Sequence, residues 1–124
     1  MEKKELLEVP LSDLLPGGDA LPDPIRYQYY KNLKDRKIII NDSIDSNIVE
    51  TVMIPLLEMD NDGTGKPIEI ILNTVGGSLF DGAALCNIID KLKTPTTITV
   101  ITYAYSMGSI ILMGGYNNPN VKKR

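Results

Sequence analysis

The sequence predicts an α/β fold built around a parallel sheet, and three observations support that class. β-type runs alternate with helical patterns through residues 25–124, an order typical of β-α-β units with right-handed crossovers. The run Ile68–Leu72 is almost entirely apolar, as expected of a parallel strand that is covered on both faces. Small residues follow two of the runs, at Gly76-Gly77-Ser78 and at Ser106-Met107-Gly108, where strand-to-helix turns are expected.

The first elements follow from local signals. Residues 1–24 are rich in proline and predict an extended arm. Pro24 suits the first turn of a helix over residues 25–33, and Lys37–Ile40 is a β-type run. A helix with an apolar face over residues 48–57 should be capped by Asp45 or Ser46, and Pro55 should kink it.

The later elements surround the two turns. After the strand Ile68–Leu72, Ser78 is expected to cap a helix that runs to about Leu92. A threonine- and valine-rich strand is predicted over Thr96–Tyr103. Ser106 follows it, and then a helix from Met107 to Met113 that the glycines at 114 and 115 end.

Composition limits the size of the domain and the kind of partner. A chain of 124 residues with 43% hydrophobic residues accommodates one domain with a small core. The net charge of −3 disfavours a nucleic-acid partner, and the basic cluster Lys122-Lys123-Arg124 is expected to be a solvated tail. With no apolar run near the ~20 residues of a membrane span and no signal peptide, we expect a cytoplasmic protein without membrane contact.

Two residue types limit the chemistry. The single cysteine, Cys86, has no partner for an internal disulfide, and a reduced, packed thiol is expected. The chain contains no histidine, whereas a Ser-His-Asp mechanism requires an imidazole and metal sites usually include one. A calcium loop around Asp60 and Asp62 is an alternative, but the glutamate that closes such a loop is missing, so no metal site is predicted.

Together the two turns indicate nucleophilic catalysis. Ala104-Tyr105-Ser106-Met107-Gly108 half-matches the nucleophile elbow Gly-x-Ser-x-Gly, although an ordinary N-cap serine is the alternative. Gly76-Gly77-Ser78 exposes backbone N–H groups; the alternatives are a plain tight turn and a phosphate loop, for which the Walker lysine is missing. Because the carboxyl ends of neighbouring parallel strands face one crevice, the pair predicts a serine opposite an oxyanion site.

In this order and spacing the motifs resemble the proteolytic subunit of the Clp protease, a self-compartmentalising serine peptidase. The likeness covers roughly residues 25–124. Residues 73–78 are similar to the family's Asn-Ser-Pro-Gly-Gly loop, with Thr74 and Val75 in place of Ser-Pro, and residues 104–108 are similar to its Ala-Ala-Ser-Met-Gly turn. The resemblance implies the spiral of repeated β-α units that Clp proteases share with crotonases.

The resemblance also implies roles for individual residues. Ser106 is the nucleophile, the backbone N–H groups of Gly77 and Met107 are the oxyanion donors, and Gly76 and Ser78 contact the substrate. The substrate is an extended polypeptide that adds as a strand beside the segment after Gly77. A side chain at Gly77 is expected to block the approach of the substrate carbonyl.

The same resemblance implies partners. Members of the family stack as two heptameric rings, a tetradecamer, and receive unfolded polypeptide from a hexameric AAA+ ATPase. That ATPase uses the ATP, so no cofactor is implied for this chain. The arm formed by residues 1–24 differs from the N-terminal loops of the family.

In the family pattern a histidine and an aspartate follow the serine, and this sequence ends soon after Ser106. We therefore expect the N-terminal portion of a subunit, with a domain over residues 25–124 that is incomplete after the nucleophile helix. A separate C-terminal fragment is expected to supply the histidine and aspartate, and the chain by itself is expected to be inactive. The alternatives are a ring subunit without activity and a crotonase-fold acyl-CoA hydratase or isomerase.

Overall fold

The computed structural model describes residues 23–124, so the arm predicted for residues 1–24 lies almost wholly outside the described part. Helices and strands alternate along it as predicted. The elements are α1 (Pro24–Lys34), β1 (Lys37–Ile40), a π-helical segment (Val49–Met53) that continues as α2 (Ile54–Asp60), β2 (Ile68–Thr74), α3 (Leu79–Asp90), β3 (Thr96–Ala104), α4 (Met107–Met113) and β4 (Val121–Lys123).

The four strands form one parallel sheet in the order β1-β2-β3-β4. Its register aligns Ile38, Ile70 and Ile98 in one row across three strands, and all three side chains are buried. Because side chains alternate along a strand, the buried positions share one face. There they pack with apolar side chains of the π-helical segment, α2, α3 and α4 to form the core. The predicted α/β class with a parallel sheet is confirmed.

The opposite face of β2 is less well covered than predicted. Ile68, Ile70, Leu72 and Thr74 are buried, whereas the alternate positions, residues 69, 71 and 73, are only half-buried. Within the described residues the second face of β2 is thus covered less completely than the face that packs against the core helices.

The segment predicted to be a solvated tail is an edge strand. Val121–Lys123 pairs with the start of β3, and Arg124 continues the ladder by donating its N–H to Ile98 O at 2.8 Å. The buried amide of Asn118 donates to the carbonyls of Ile89 and Leu92, at 3.1 and 2.9 Å, and so holds the chain beside the sheet. The domain thus continues by one strand beyond α4.

A π-helical segment lies just before Pro55, and the kink expected at this proline stays a prediction. Proline has no N–H, so the carbonyl of Thr51 lacks its usual helical donor. The hydroxyl of Tyr29 donates to that carbonyl instead, at 3.4 Å. The π-helical segment begins at Val49 with Ile48 at its N-cap, and of the two predicted caps Asp45 caps the turn that leads into this segment. Asp45 accepts the N–H of Asn47 in the preceding turn.

A buried ion pair fixes the loop before β2. The guanidinium of Arg36 pairs with the carboxylate of Asp62 and donates to the carbonyls of Met59 and Lys66, at 3.1 and 3.0 Å. Burial raises the pKa of Asp62, but hydrogen bonds from Thr64 and the nearby Arg36 charge outweigh it, so the pKa lies below its ordinary value of 3.8. Asp62 is thus held in an ion pair, and no cluster of residues 23–124 suits a metal ion.

Replacing Asp62 by asparagine (Asp62→Asn) should lower the free energy of unfolding by about 3 kcal/mol at neutral pH, since the Arg36 charge stays buried without its partner. The pKa of Asp62 is lower in the folded protein than in the unfolded chain, so its ionised form favours folding. That contribution is complete above the ordinary pKa and is lost as the pH falls through the lower folded value. The difference between variant and wild type should therefore shrink in acid.

Urea unfolding over a pH series measures this difference. Asp35→Asn is the matched control, because Asp35 is exposed at the end of α1, and it should change the stability by less than about 0.5 kcal/mol. An Asp62→Asn protein as stable as the wild type at neutral pH would contradict the assignment.

Candidate active site

Ser106 lies on a strained turn between β3 and α4. Its backbone has φ 49° and ψ −119°, a region that residues with a side chain rarely adopt. The turn is closed by a hydrogen bond from the N–H of Gly108 to Tyr105 O at 2.7 Å. A serine in this conformation between a strand and a helix is the geometry of a nucleophile elbow, and a strained residue held by its surroundings is typical of functional sites.

The hydroxyl of Ser106 is exposed. Within residues 23–124 it makes no hydrogen bond and caps no N–H of α4. The alternative of an ordinary N-cap serine is therefore wrong. The positive φ aims the side chain away from the helix that it precedes, and the hydroxyl is left available to a ligand.

The glycine turn after β2 is fixed by the backbone of Ile44. The N–H of Ile44 donates to Gly76 O at 2.9 Å, and the N–H of Ser78 donates to Ile44 O at 2.7 Å. These two bonds form a parallel bridge between Ile44 and Gly77. They anchor the residues on both sides of Gly77, so the Gly77 peptide has a fixed orientation.

This bridge gives a second reason for glycine at position 77, besides the predicted approach of the substrate. Gly77 has φ +153°, and a Cβ there would lie 2.2 Å from Ile44 O. A side chain is therefore excluded by the backbone of Ile44 and by the positive φ, before any substrate is considered.

In the described structure the chain enters α3 at Leu79, and the N–H of Ser78 is bonded to Ile44 O. The pairing of a substrate peptide beside the segment after Gly77 stays a prediction.

The two turns lie against each other, as the sequence predicted. A Cβ on Gly76 would lie 2.9 Å from the Cβ of Ser106 and 3.0 Å from the backbone N of Met107. Only glycine, with a φ of +102°, fits at this point. The N–H of Tyr105 donates to Thr74 O at 3.0 Å, which joins the end of β3 to the end of β2.

An irregularity in the sheet makes this junction. Leu72 pairs with Val100, and Thr74 pairs with Ala104, so β3 carries two more residues than β2 over the same stretch. Such bulges bend a strand and re-aim the side chains that follow. Here the bulge brings the residue after Ala104 opposite the glycine turn. No motif in the sequence predicts this bulge.

The two predicted oxyanion donors are free. In the described part of the chain, neither the N–H of Gly77 nor that of Met107 donates to another group. The side chain of Met107 is buried against Gly82 of α3, where a Cβ would lie 2.2 Å from its Cγ. Gly82 thus provides the space that fixes Met107 at the start of α4. Sequence analysis missed this role of Gly82, because the contact joins two helices.

Gly76 and Ser78, the predicted substrate contacts, are engaged within the fold. Gly76 donates its N–H to the hydroxyl of Thr74 at 3.1 Å, and its carbonyl accepts from Ile44. The hydroxyl of Ser78 accepts the N–H of Asp81 at 3.2 Å, which confirms Ser78 as the cap of α3. The observed role of Gly76 is steric, and contact of either residue with a substrate stays a prediction.

Cys86 lies near the site without contributing a reactive group. The thiol is half-buried and lies 3.5 Å from Ile110 O. Burial raises the pKa of Cys86, which keeps the thiol protonated and weakly nucleophilic.

An exposed serine on a strained strand-to-helix turn that lies against a glycine turn is the arrangement of a nucleophile elbow on a parallel α/β fold. A family model described as Clp protease matches residues 23–121. The chain therefore belongs to the Clp protease family, and the resemblance drawn from the motifs is confirmed.

Curated relatives agree with the family. ATP-dependent Clp protease proteolytic subunit 1 of Salinibacter ruber is 31% identical over 83 residues, which cover 67% of this chain and 36% of that protein. The ATP-dependent Clp protease proteolytic subunit of Deinococcus radiodurans is 30% identical over 87 residues, which cover 70% of this chain and 43% of that protein. The chain spans well under half the length of these relatives. Neither the acyl-CoA enzyme nor the inactive ring subunit is favoured by these matches.

No helix within residues 23–124 is long and apolar enough to cross a membrane.

Replacing Ser106 by glycine (Ser106→Gly) should raise the free energy of unfolding by about 1 kcal/mol. Glycine removes the strain of the positive φ, typically about 1–3 kcal/mol, and part of this gain is offset by the greater freedom of glycine in the unfolded chain. Ser106→Ala keeps a Cβ and therefore the strain, and should stay within about 0.5 kcal/mol of the wild type. Urea unfolding of the two variants side by side measures the difference, and equal stabilities would argue against a strained turn.

Proposed function

We propose that this chain provides the nucleophile and the oxyanion donors of a serine endopeptidase, within a Clp-type proteolytic subunit. The observation that carries the proposal is the conformation of Ser106, whose free hydroxyl projects from a strained turn packed against the glycine turn. Membership of the Clp protease family supports the same reading.

The proposed chemistry is acyl transfer. The hydroxyl oxygen of Ser106 attacks the carbonyl carbon of a peptide bond, and the negative charge that develops on the carbonyl oxygen is stabilised by the N–H groups of Gly77 and Met107. Loss of one such donor typically lowers turnover about 100- to 1,000-fold. The amine of the cleaved bond leaves, and water then hydrolyses the acyl-enzyme ester.

The missing component is a base. A serine hydroxyl is essentially un-ionised at neutral pH and must lose its proton as it attacks. These 124 residues contain no histidine, and the side chains of Lys91 and Lys93 are exposed at the end of α3, where that of Lys93 donates to Asn61. We therefore propose that a separate segment, carrying histidine and aspartate as in the family pattern, supplies the base.

The proposal includes partners and a compartment. The substrate is unfolded polypeptide, cleaved in a chamber of two heptameric rings and delivered by an AAA+ ATPase. This chain itself needs no cofactor and acts in the cytoplasm. The relatives are named as proteolytic subunits of an ATP-dependent protease, and apolar side chains that a substrate or a neighbouring subunit would cover are exposed at Ile25, Leu79, Phe80 and Tyr105.

A fluorophosphonate should label Ser106 when the chain is co-expressed with the C-terminal portion of the Deinococcus radiodurans relative. The probe forms a covalent bond only with a serine whose hydroxyl is activated by a base. Mass spectrometry of the labelled peptide should place the adduct on Ser106, and Ser106→Ala should abolish it. The neighbouring hydroxyl of Ser109 is an internal control, because it donates to Ser106 O and should stay unlabelled. An adduct on Ser109 with Ser106 unmodified would refute the proposal.

The 124-residue chain by itself should hydrolyse no peptide above the rate of its own Ser106→Ala variant. Without a base, the oxyanion donors give only a small residual acceleration. The assay follows cleavage of a fluorogenic peptide by the purified chain, with the co-expressed pair as the positive control. Robust turnover by the chain that disappears in Ser106→Ala would show that a base lies within these residues.

A further inference from the structure

Thr74 contacts both turns of the candidate site from one buried position. The residue ends β2 and is only 1% exposed. Its hydroxyl donates to Asp42 O at 2.6 Å and accepts the N–H of Gly76 at 3.1 Å. The hydroxyl therefore links the loop after β1 to the peptide that joins Val75 and Gly76, at the start of the glycine turn.

The rest of Thr74 holds the nucleophile turn. Its backbone carbonyl accepts the N–H of Tyr105 at 3.0 Å. Its methyl group lies beneath Gly108, where an added Cβ would be 2.7 Å from the Thr74 Cγ2. The two halves of this residue thus act on different turns: the hydroxyl acts on the glycine turn, and the carbonyl and methyl act on the turn that carries Ser106.

The hydroxyl bond restrains the glycine turn at the N–H of Gly76, and the bond from Ile44 restrains it at the carbonyl of Gly76. Glycine has wide conformational freedom, so Gly76 and Gly77 need external bonds to hold one orientation. The N–H of Gly76 points to Thr74, and the carbonyl of Gly76 points to Ile44. With both groups of Gly76 engaged, the following N–H, that of Gly77, is the one left unpaired.

We propose that Thr74 is a positioning residue for the oxyanion site, through the hydrogen bond from its hydroxyl oxygen to the Gly76 N–H. This inference rests on the proposed function, in which the Gly77 N–H stabilises the transition state. Without the hydroxyl, the Gly76 N–H and the Asp42 carbonyl lose a buried partner, and the turn can relax into orientations that misdirect the Gly77 N–H.

Three variants test the inference in the co-expressed pair. Thr74→Val replaces the hydroxyl by a methyl group of similar size, and Thr74→Ser keeps the hydroxyl but removes the methyl. Thr96→Val is the matched control, because Thr96 is also a buried β-strand threonine whose hydroxyl donates to a carbonyl, that of Thr94 at 2.9 Å. Thr96 lies at the opposite end of β3 from Ser106.

We expect Thr74→Val to lower kcat about 100-fold, as small misplacements of catalytic groups do, with little change in KM. Thr74→Ser should retain most of the wild-type kcat, and Thr96→Val should leave kcat unchanged. Fluorophosphonate labelling of Ser106 should slow in parallel with kcat. A Thr74→Val protein with wild-type kcat, in a pair whose wild type is labelled, would overturn this inference and leave the proposed function intact. Failure of the wild-type pair to label would instead refute the proposed function.

A second measurement does not depend on the folding of the valine variant. Amide hydrogen exchange of Gly76 should be strongly slowed in the wild-type chain and in Thr74→Ser, since both supply an acceptor to this N–H. Exchange of the Gly76 amide as fast as that of an exposed loop glycine, such as Gly63, would show that the hydroxyl does not hold the turn, and would overturn the inference.

Discussion

The candidate site depends on the close approach of two backbone turns at the carboxyl edge of the sheet. Gly76 lies so near the Ser106 turn that a single added carbon would contact the Ser106 Cβ and the Met107 nitrogen at 3.0 Å or less. The hydrogen bond from Tyr105 to Thr74 fixes that approach. The bulge in β3, the burial of Met107 against Gly82 and the bridge to Ile44 each serve to keep the two turns in place.

The approach also explains how the protein maintains a strained serine. The positive φ of Ser106 is unfavourable locally, but the residues around it are restrained by separate contacts. Gly108 closes the turn, Met107 is packed in the core, and Tyr105 is bonded to β2. The packing of the sheet and two helices therefore offsets the local energetic cost of the strained Ser106 backbone. In the proposed mechanism, the hydroxyl and the two N–H groups then need little rearrangement before they meet a substrate.

Much of this support comes from outside the two turn motifs. The loop after β1 provides Asp42 O and Ile44 to the glycine turn, and α3 provides Gly82 to the nucleophile turn. The Arg36–Asp62 ion pair is separate, since it anchors the loop at the amino end of β2. The proposed nucleophile and oxyanion donors are thus positioned by β2, the loop after β1 and α3 together, whereas these residues include no histidine to act as the base of the proposed mechanism.

The sequence by itself determined the order of helices and strands, the parallel class of the sheet, and the residues of both turns. These features follow from local signals: apolar periodicity, β-branched runs, glycine in tight turns and Ser78 as a helix cap. Such signals can be predicted from the sequence because they depend on residues that are neighbours in the chain. It did not predict β4, the partial cover of one face of β2, the bulge in β3 or the roles of Ile44, Gly82 and Thr74. Tertiary structure decided these, because each arises from contacts between segments far apart in the chain, and only their packing fixed the strained conformation of Ser106.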